Sequence, residues 1–169
     1  MKRAAWLLLP AALLCLRCGY RLSGSGRNLP PGAETIAIPE FRNRTSRPQA
    51  EQFVTFAVRE EFVRRSRLRL VEAEERADLL LEGTIVQFLT TPLSYSEEGA
   101  ANLYEVRLVL EVRLIDVKRG AVHFQGTGLA FRETYETDSA DFFSQETGSL
   151  AAIAAKFASS IVSSILENF

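Results

Sequence analysis

Apolar residues recur along this chain with two different periods, and each period marks a different kind of element. From Tyr104 to Ile115 the period is two. Tyr104, Val106, Leu108, Leu110, Val112 and Leu114 fall on one side, and Glu105, Arg107, Glu111 and Arg113 fall on the other. One apolar and one polar face predict a half-buried antiparallel strand. Leu79, Leu81 and Ile85 open a second such strand, predicted from Asp78 to Leu89. Lys118-Arg119-Gly120 predicts a hairpin turn into a last strand running from Ala121 to about Tyr135. Thr35-Ile36-Ala37-Ile38 reads as a short first strand ended by Pro39, and Leu68-Arg69-Leu70-Val71 as a short lead-in. Glu40 to Thr45 reads as a polar connection, and Thr90 to Asn102 as a longer loop.

The other period is helical. Ala50, Phe53, Val54, Ala57, Val58 and Phe62 mark one face of a first helix. Ser46 and Gln49 have capping-box spacing, which places its start near Ser46, with Pro48 tolerated in the first turn. Arg64, Arg65 and Arg67 cluster at its end, where positive charge complements the helix dipole. Near the C-terminus, Leu150, Ile153, Ala154, Phe157, Ile161, Ile165 and Phe169 recur at steps of three and four. They predict a closing helix of roughly 20–25 residues. Small residues (Ala151, Ala152, Ala155, Ser159, Ser160, Ser163 and Ser164) fill its other positions. Two amphipathic helices can cover the apolar face of one sheet. The predicted fold is therefore α+β, a two-layer sandwich of two helices packed on one face of a four-stranded, mostly antiparallel sheet.

The N-terminus has a different character. Lys2 and Arg3 precede an apolar run from Ala4 to Leu16, and Cys18-Gly19-Tyr20 follows. A short cationic segment before a short apolar stretch reads as a secretion signal, and the run is too short for a helix spanning about 20 residues of bilayer. Bacterial lipoproteins carry their acyl chains on a thiol at such a position, so Cys18 is the candidate lipidation site. Arg17 stands where that pattern has a small residue, so an ordinary cleaved signal and an uncleaved anchor remain open alternatives. Gly19, not an acidic residue, follows Cys18; this favours the outer membrane. The chain then divides into a signal (1–17), a lipidated N-terminus and tether (18–34) rich in glycine, serine and proline, and one domain (35–169).

Composition narrows the function. The chain has 169 residues and a formal net charge of −1, which gives no general argument for nucleic acid. Cys15 and Cys18 are its two cysteines, and nothing downstream suggests a disulfide scaffold. Lys156 and Glu167 interrupt the apolar C-terminal stretch, which predicts that it falls short of a membrane span. His123 is the one histidine, on a predicted strand, and reads as a surface or packing residue. Glu60-Glu61 and Glu74-Glu75 read as solvated charge, since neighbouring carboxylates do not face each other. No catalytic motif, metal-ligand spacing or phosphate-cradling loop is present, which argues against an enzyme and implies no cofactor or metal.

Binding is the better-supported direction. Arg107 and Arg113 lie on the polar strand face. They either pair with Glu105 and Glu111 or meet an anionic ligand, because the guanidinium fork suits phosphate. Thr91-Pro92-Leu93-Ser94-Tyr95 is a connection whose aromatic and proline are also candidate partner contacts.

Four strings carry a family resemblance: Cys18-Gly19-Tyr20-Arg21-Leu22; Ile36 to Thr45 (IAIPEFRNRT); Ala77 to Ile85 (ADLLLEGTI); and Leu114-Ile115-Asp116. In order and spacing the chain resembles the LptE family of lipopolysaccharide-assembly lipoproteins. The resemblance implies two helices on a four-stranded sheet. It also implies a non-catalytic outer-membrane lipoprotein on the periplasmic side that plugs and assembles the LptD β-barrel and binds lipopolysaccharide. The resemblance maps no contact residue onto a single position; Arg107 and Arg113 are the candidate lipopolysaccharide contacts on their own chemistry, because arginine suits the phosphates of that ligand. The alternative is a periplasmic lipoprotein adaptor of another envelope or secretion complex.

Overall fold

The structure is a computed structural model and describes residues 29–97, 99–136 and 142–167. In chain order its elements are β1 (Thr35–Ala37), β2 (Arg42–Asn43), α1 (Ala50–Arg65), β3 (Arg69–Val71), β4 (Leu79–Tyr95), β5 (Ala101–Asp116), β6 (Ala121–Glu136) and α2 (Phe142–Glu167). β4, β5 and β6 form the antiparallel meander that the alternation predicts. Leu79, Leu81, Ile85, Leu108, Leu110 and Leu114 are fully buried beneath the helices.

The sheet departs from the predicted one. It has six strands in the order β3-β1-β4-β5-β6, with β2 also on β4. β1 runs parallel to β3 and β4, and β2 runs parallel to β4. The expected four-stranded, mostly antiparallel sheet is therefore a six-stranded mixed one. Strands of two or three residues are too short to display an alternation, and parallel partners lie far apart in sequence. The predicted loop from Thr90 to Asn102 is also corrected. β4 continues to Tyr95 and β5 begins at Ala101, closed by Ser96 N–H donating to Ala100 O at 2.7 Å. From Thr91 to Tyr95 every residue is exposed, so no buried face imposes an alternation there. Register shifts around Ser94 accommodate Pro92.

A close approach fixes the place of β1 and β2. Between them the chain bends, and Phe41, 2% exposed, lays its ring over Gly83 of β4. A Cβ at Gly83 would lie 2.1 Å from a ring carbon of Phe41. The bend is held to α1: Phe41 N–H donates to Thr55 Oγ1 at 2.9 Å. Arg59 also donates to Ile38 O through Nε and Nη2, at 2.8 and 2.6 Å. Asn43 then organises the turn into α1. Its Oδ1 accepts from Thr45 N and Oγ1, and its Nδ2 donates to Arg47 O and Glu51 Oε2. That turn occupies the residues expected to start the helix. α1 begins at Ala50 instead, its N-cap Gln49 is left-handed at φ 66°, and no side chain caps it. Pro48 disfavours helical geometry at Arg47, in keeping with this late start.

The helices lie side by side and run in the same direction. Near their N-terminal ends Arg47 pairs with Glu146 (3.2 Å), and near their C-terminal ends Arg65 pairs with Glu167 and donates to Ser163 Oγ. Glu61, predicted to be solvated, is buried and pairs with Arg64 and Arg65, whereas Glu60, Glu74 and Glu75 are exposed. Phe143–Glu167 is, contrary to expectation, long and apolar enough to cross a membrane. Its apolar face is nonetheless spent on the core: Leu150, Ile153, Phe157, Ile161, Val162 and Ile165 are all buried. Tyr135 of β6, beneath α2, stacks on Tyr104 at 5.4 Å, and burial pushes its hydroxyl up to about 12, with the Glu146 charge adding to the effect.

Asp78 ties β1 to the start of β4. It pairs with Lys118 at 2.6 Å and accepts from Glu34 N, Thr35 N and Thr35 Oγ1 at 2.9–3.0 Å. Lys118 first, then the amides and hydroxyl, hold its carboxyl well below the usual carboxylate range. In the unfolded chain this group titrates near about 3.9. Its contribution is therefore present above that pH and is lost as pH falls towards the lower folded value. Asp78→Asn is expected to lower the denaturation midpoint at neutral pH. It should also flatten the decline below about pH 4, as read by urea melts at several pH values. Parallel declines for the two proteins would exclude this role.

Candidate functional site

The sheet face turned away from the helices carries a shallow concavity of about 300 Å³. Its side chains come from four strands and the residue following β2. Arg42 and Arg44 stand at one wall; Glu82 and Thr84 of β4, Glu111 and Arg113 of β5, and Gln125 and Thr127 of β6 complete it. The local sequence explains the arrangement. Around β2, alternation turns Phe41 inward and sends Arg42 and Arg44 to the open face. Arg42 sits opposite Thr84, and Arg44 N–H donates to Ile85 O at 3.0 Å, which continues the pairing. A register break between β5 and β6 near Gly126, with Gly128 at φ 63°, bends the far wall.

The electrostatics are mixed but lean positive: three guanidiniums against two carboxylates. Arg113 Nη2 pairs with Glu82 Oε2 at 2.7 Å across β4 and β5. Arg42, Arg44 and Glu111 make no ion pair among the described residues.

The residues singled out from sequence separate. Arg113 is in the concavity. Arg107 is not: six residues earlier on the same strand, it lies about 20 Å away, opposite Leu89 and Arg132. Its Nε is buried and has no hydrogen-bond partner among the described residues. The expected pairing of these arginines with Glu105 and Glu111 is replaced: Arg113 takes Glu82, and Glu105 lies 4.0 Å from Arg132. His123 is exposed on β6. Cys18 lies outside the described residues. Arg42 and Arg44 were hidden within a polar connection; the one local signal was the alternation Phe-Arg-Asn-Arg, too short to name a strand.

A second surface feature is an apolar groove of about 750 Å³ along the two helices and β3. Phe56 (64% exposed), Val63 (61%) and Leu70 (40%) are its large apolar residues, and Arg59, Glu60 and Arg64 are among its charged ones. Among the described residues no three His, Cys, Asp or Glu side chains are grouped to hold a metal ion.

Among solved structures, a lipoprotein from Caulobacter crescentus is similar with a TM-score of 0.54 at 17% identity, over 76% of this chain and 87% of that one. Lipoprotein B from Nitrosomonas europaea is similar with a TM-score of 0.51 at 19% identity, over 88% and 90%. A protein from Xanthomonas campestris is similar with a TM-score of 0.54 at 12% identity, over 81% and 88%. At these identities the likeness is one of fold. Comparison with curated protein sequences gave no match. The family model described as LptE, lipopolysaccharide-assembly, matches residues 33–167. That match takes in β1, the Phe41 bend, both helices and the whole meander, and the chain belongs to the LptE lipopolysaccharide-assembly family.

Proposed function

We propose that this protein is a non-catalytic outer-membrane lipoprotein, anchored through Cys18 after removal of residues 1–17. In this reading it faces the periplasm, plugs and assembles the LptD β-barrel, and binds lipopolysaccharide for insertion into the outer leaflet. The family match over residues 33–167 carries this reading. The structure supports it in two ways. The wide barrels of outer membranes have polar interiors, and the open sheet face here carries the charged concavity of Arg42, Arg44, Glu82, Glu111 and Arg113, which suits a plug. The groove at Phe56, Val63 and Leu70 is an exposed apolar surface with charged neighbours, the kind that marks protein contact. Arg113, on the open face, and Arg107, further along the same strand, are the proposed lipopolysaccharide contacts.

The test is purification of the full chain from native membranes at native expression. A large β-barrel partner is expected to come with it, and mass spectrometry of the mature N-terminus is expected to find acyl chains on Cys18. Recovery of the chain alone would exclude the plug. For the ligand, Arg107→Ala/Arg113→Ala should lower retention of lipopolysaccharide severalfold while thermal stability changes little, since an exposed ion pair such as Arg113–Glu82 contributes about 0–1 kcal/mol. Full retention by the double variant would remove both arginines from the binding surface.

A further inference from the structure

We infer that the concavity bounded by Arg42, Arg44 and Arg113 is a subsite for a phosphorylated saccharide, the sugar-phosphate part of an amphiphile and not its acyl chains. The inference rests on the lipopolysaccharide-binding reading above and goes further by assigning the recognised chemistry and the residues.

The lining decides the class of ligand. The one large apolar residue at the concavity, Val112, is turned into the core and is 1% exposed; the remaining side chains are arginine, glutamate, threonine and glutamine. Such a surface offers nothing to an acyl chain, whose binding depends on burying apolar area. Guanidinium groups bind phosphate through paired N–H donors, and Arg42 and Arg44 are available for this because no ion pair engages them among the described residues.

The carboxylates narrow the class further. Glu82 and Glu111 would oppose a bare anion, yet both line the same concavity. If the cluster were only a self-neutralising charge ladder, Glu111 would be expected to pair with Arg42 or Arg44, and it does not. A carboxylate is an acceptor-only group, whereas threonine and glutamine both donate and accept. Vicinal hydroxyls of a sugar ring supply the donors that Glu111 lacks, while the arginines take the phosphate. The volume of about 300 Å³ lies at the lower end for ligand sites, which suits a single ring with its phosphate.

The position is built, not incidental. Arg42 and Arg44 reach the open face because β2 is fastened to β4, and β2 is fastened by the Phe41 ring over Gly83 and by the Asn43 turn. The same local structure that closes the core therefore presents two cations to solvent on the opposite face.

The experiment is calorimetric titration of the full chain with three probes: glucose 6-phosphate, inorganic phosphate and glucose. Glucose 6-phosphate is expected to bind at least about tenfold tighter than either of the others. Arg42→Ala/Arg44→Ala should weaken it at least about tenfold with the melting temperature unchanged. Glu111→Gln should weaken glucose 6-phosphate but not inorganic phosphate. Equal affinity for inorganic phosphate and glucose 6-phosphate would overturn the saccharide assignment, and unchanged affinity in the double arginine variant would overturn the location. Retention of whole lipopolysaccharide by the same proteins separates the two readings. Full retention by the arginine variant refutes the subsite and leaves the lipopolysaccharide reading standing. Glucose 6-phosphate binding without any lipopolysaccharide retention refutes that reading and leaves a saccharide-phosphate site.

Discussion

Phe157→Ala is expected to lower the stability of the domain by about 3–5 kcal/mol, the range for removing a buried aromatic ring. Phe157 is fully buried in α2 and meets two other rings edge to face: Phe41 at 6.3 Å between centroids and Phe131 of β6 at 5.5 Å. It therefore joins the helix layer to both the β1–β2 bend and the far strand of the meander. Alanine would leave a cavity that the surrounding helix and strands can close only partly, and both ring contacts would be lost. The melting temperature should fall by on the order of 10 °C. Phe157→Leu, which keeps part of the volume, should fall less. A melting curve unchanged by the alanine variant would mean that the buried face of α2 is wrongly assigned.

Gly83→Ala is the second large effect, of opposite kind. Three ring carbons of Phe41 lie 2.1, 2.3 and 2.5 Å from where the new methyl would sit. The ring has little freedom to withdraw. It is buried against Phe157, and its own backbone amide is held by Thr55. Overpacking of this kind costs about 1–3 kcal/mol and occasionally more. The diagnostic measurement is a double-mutant cycle by urea denaturation. Phe41→Ala alone should destabilise, but together with Gly83→Ala the two changes should lose clearly less than their sum, because the smaller residue makes room for the methyl. Simple additivity would show that ring and glycine are not in contact. Because the Phe41 ring over Gly83 helps to hold β2 on β4, Gly83→Ala should also weaken the glucose 6-phosphate binding proposed at Arg42 and Arg44.

Much of the fold was legible because burial imposes a period. Val106, Leu108, Leu110, Val112 and Leu114 are all buried as their alternation predicts, and so are Ala50, Val54, Val58 and Phe62 of α1 and Leu150, Ile153, Ala154, Phe157, Ile161 and Ile165 of α2, while Phe169 lies outside the described residues. The signal failed where one face was not buried. Thr91 to Tyr95 is exposed on both sides and reads as a loop although it is strand. It failed again where the period changes within an element. In β6 the core-facing side passes from Phe124 and Gly126 to Leu129, Phe131 and Tyr135 across the register break, so no single alternation spans the strand.

The candidate site was legible by half. Arg113 was visible as a cation on a polar strand face, but so was Arg107, and nothing local distinguishes them. The concavity needs Arg42 and Arg44, some 70 residues earlier in the chain than Arg113, and a strand of two residues carries no pattern of its own.

By itself, then, the sequence determined the helices, the meander and the faces they bury, because each depends on side chains a few residues apart and on which of them avoid water. The tertiary structure alone decided the parallel attachment of β1, β2 and β3, the common direction of the two helices, and the gathering of three arginines on the open face. Those features rest on contacts between distant segments: Phe41 on Gly83, Asp78 with Thr35, and Arg47 with Glu146. Their geometry exists only once the layers have met.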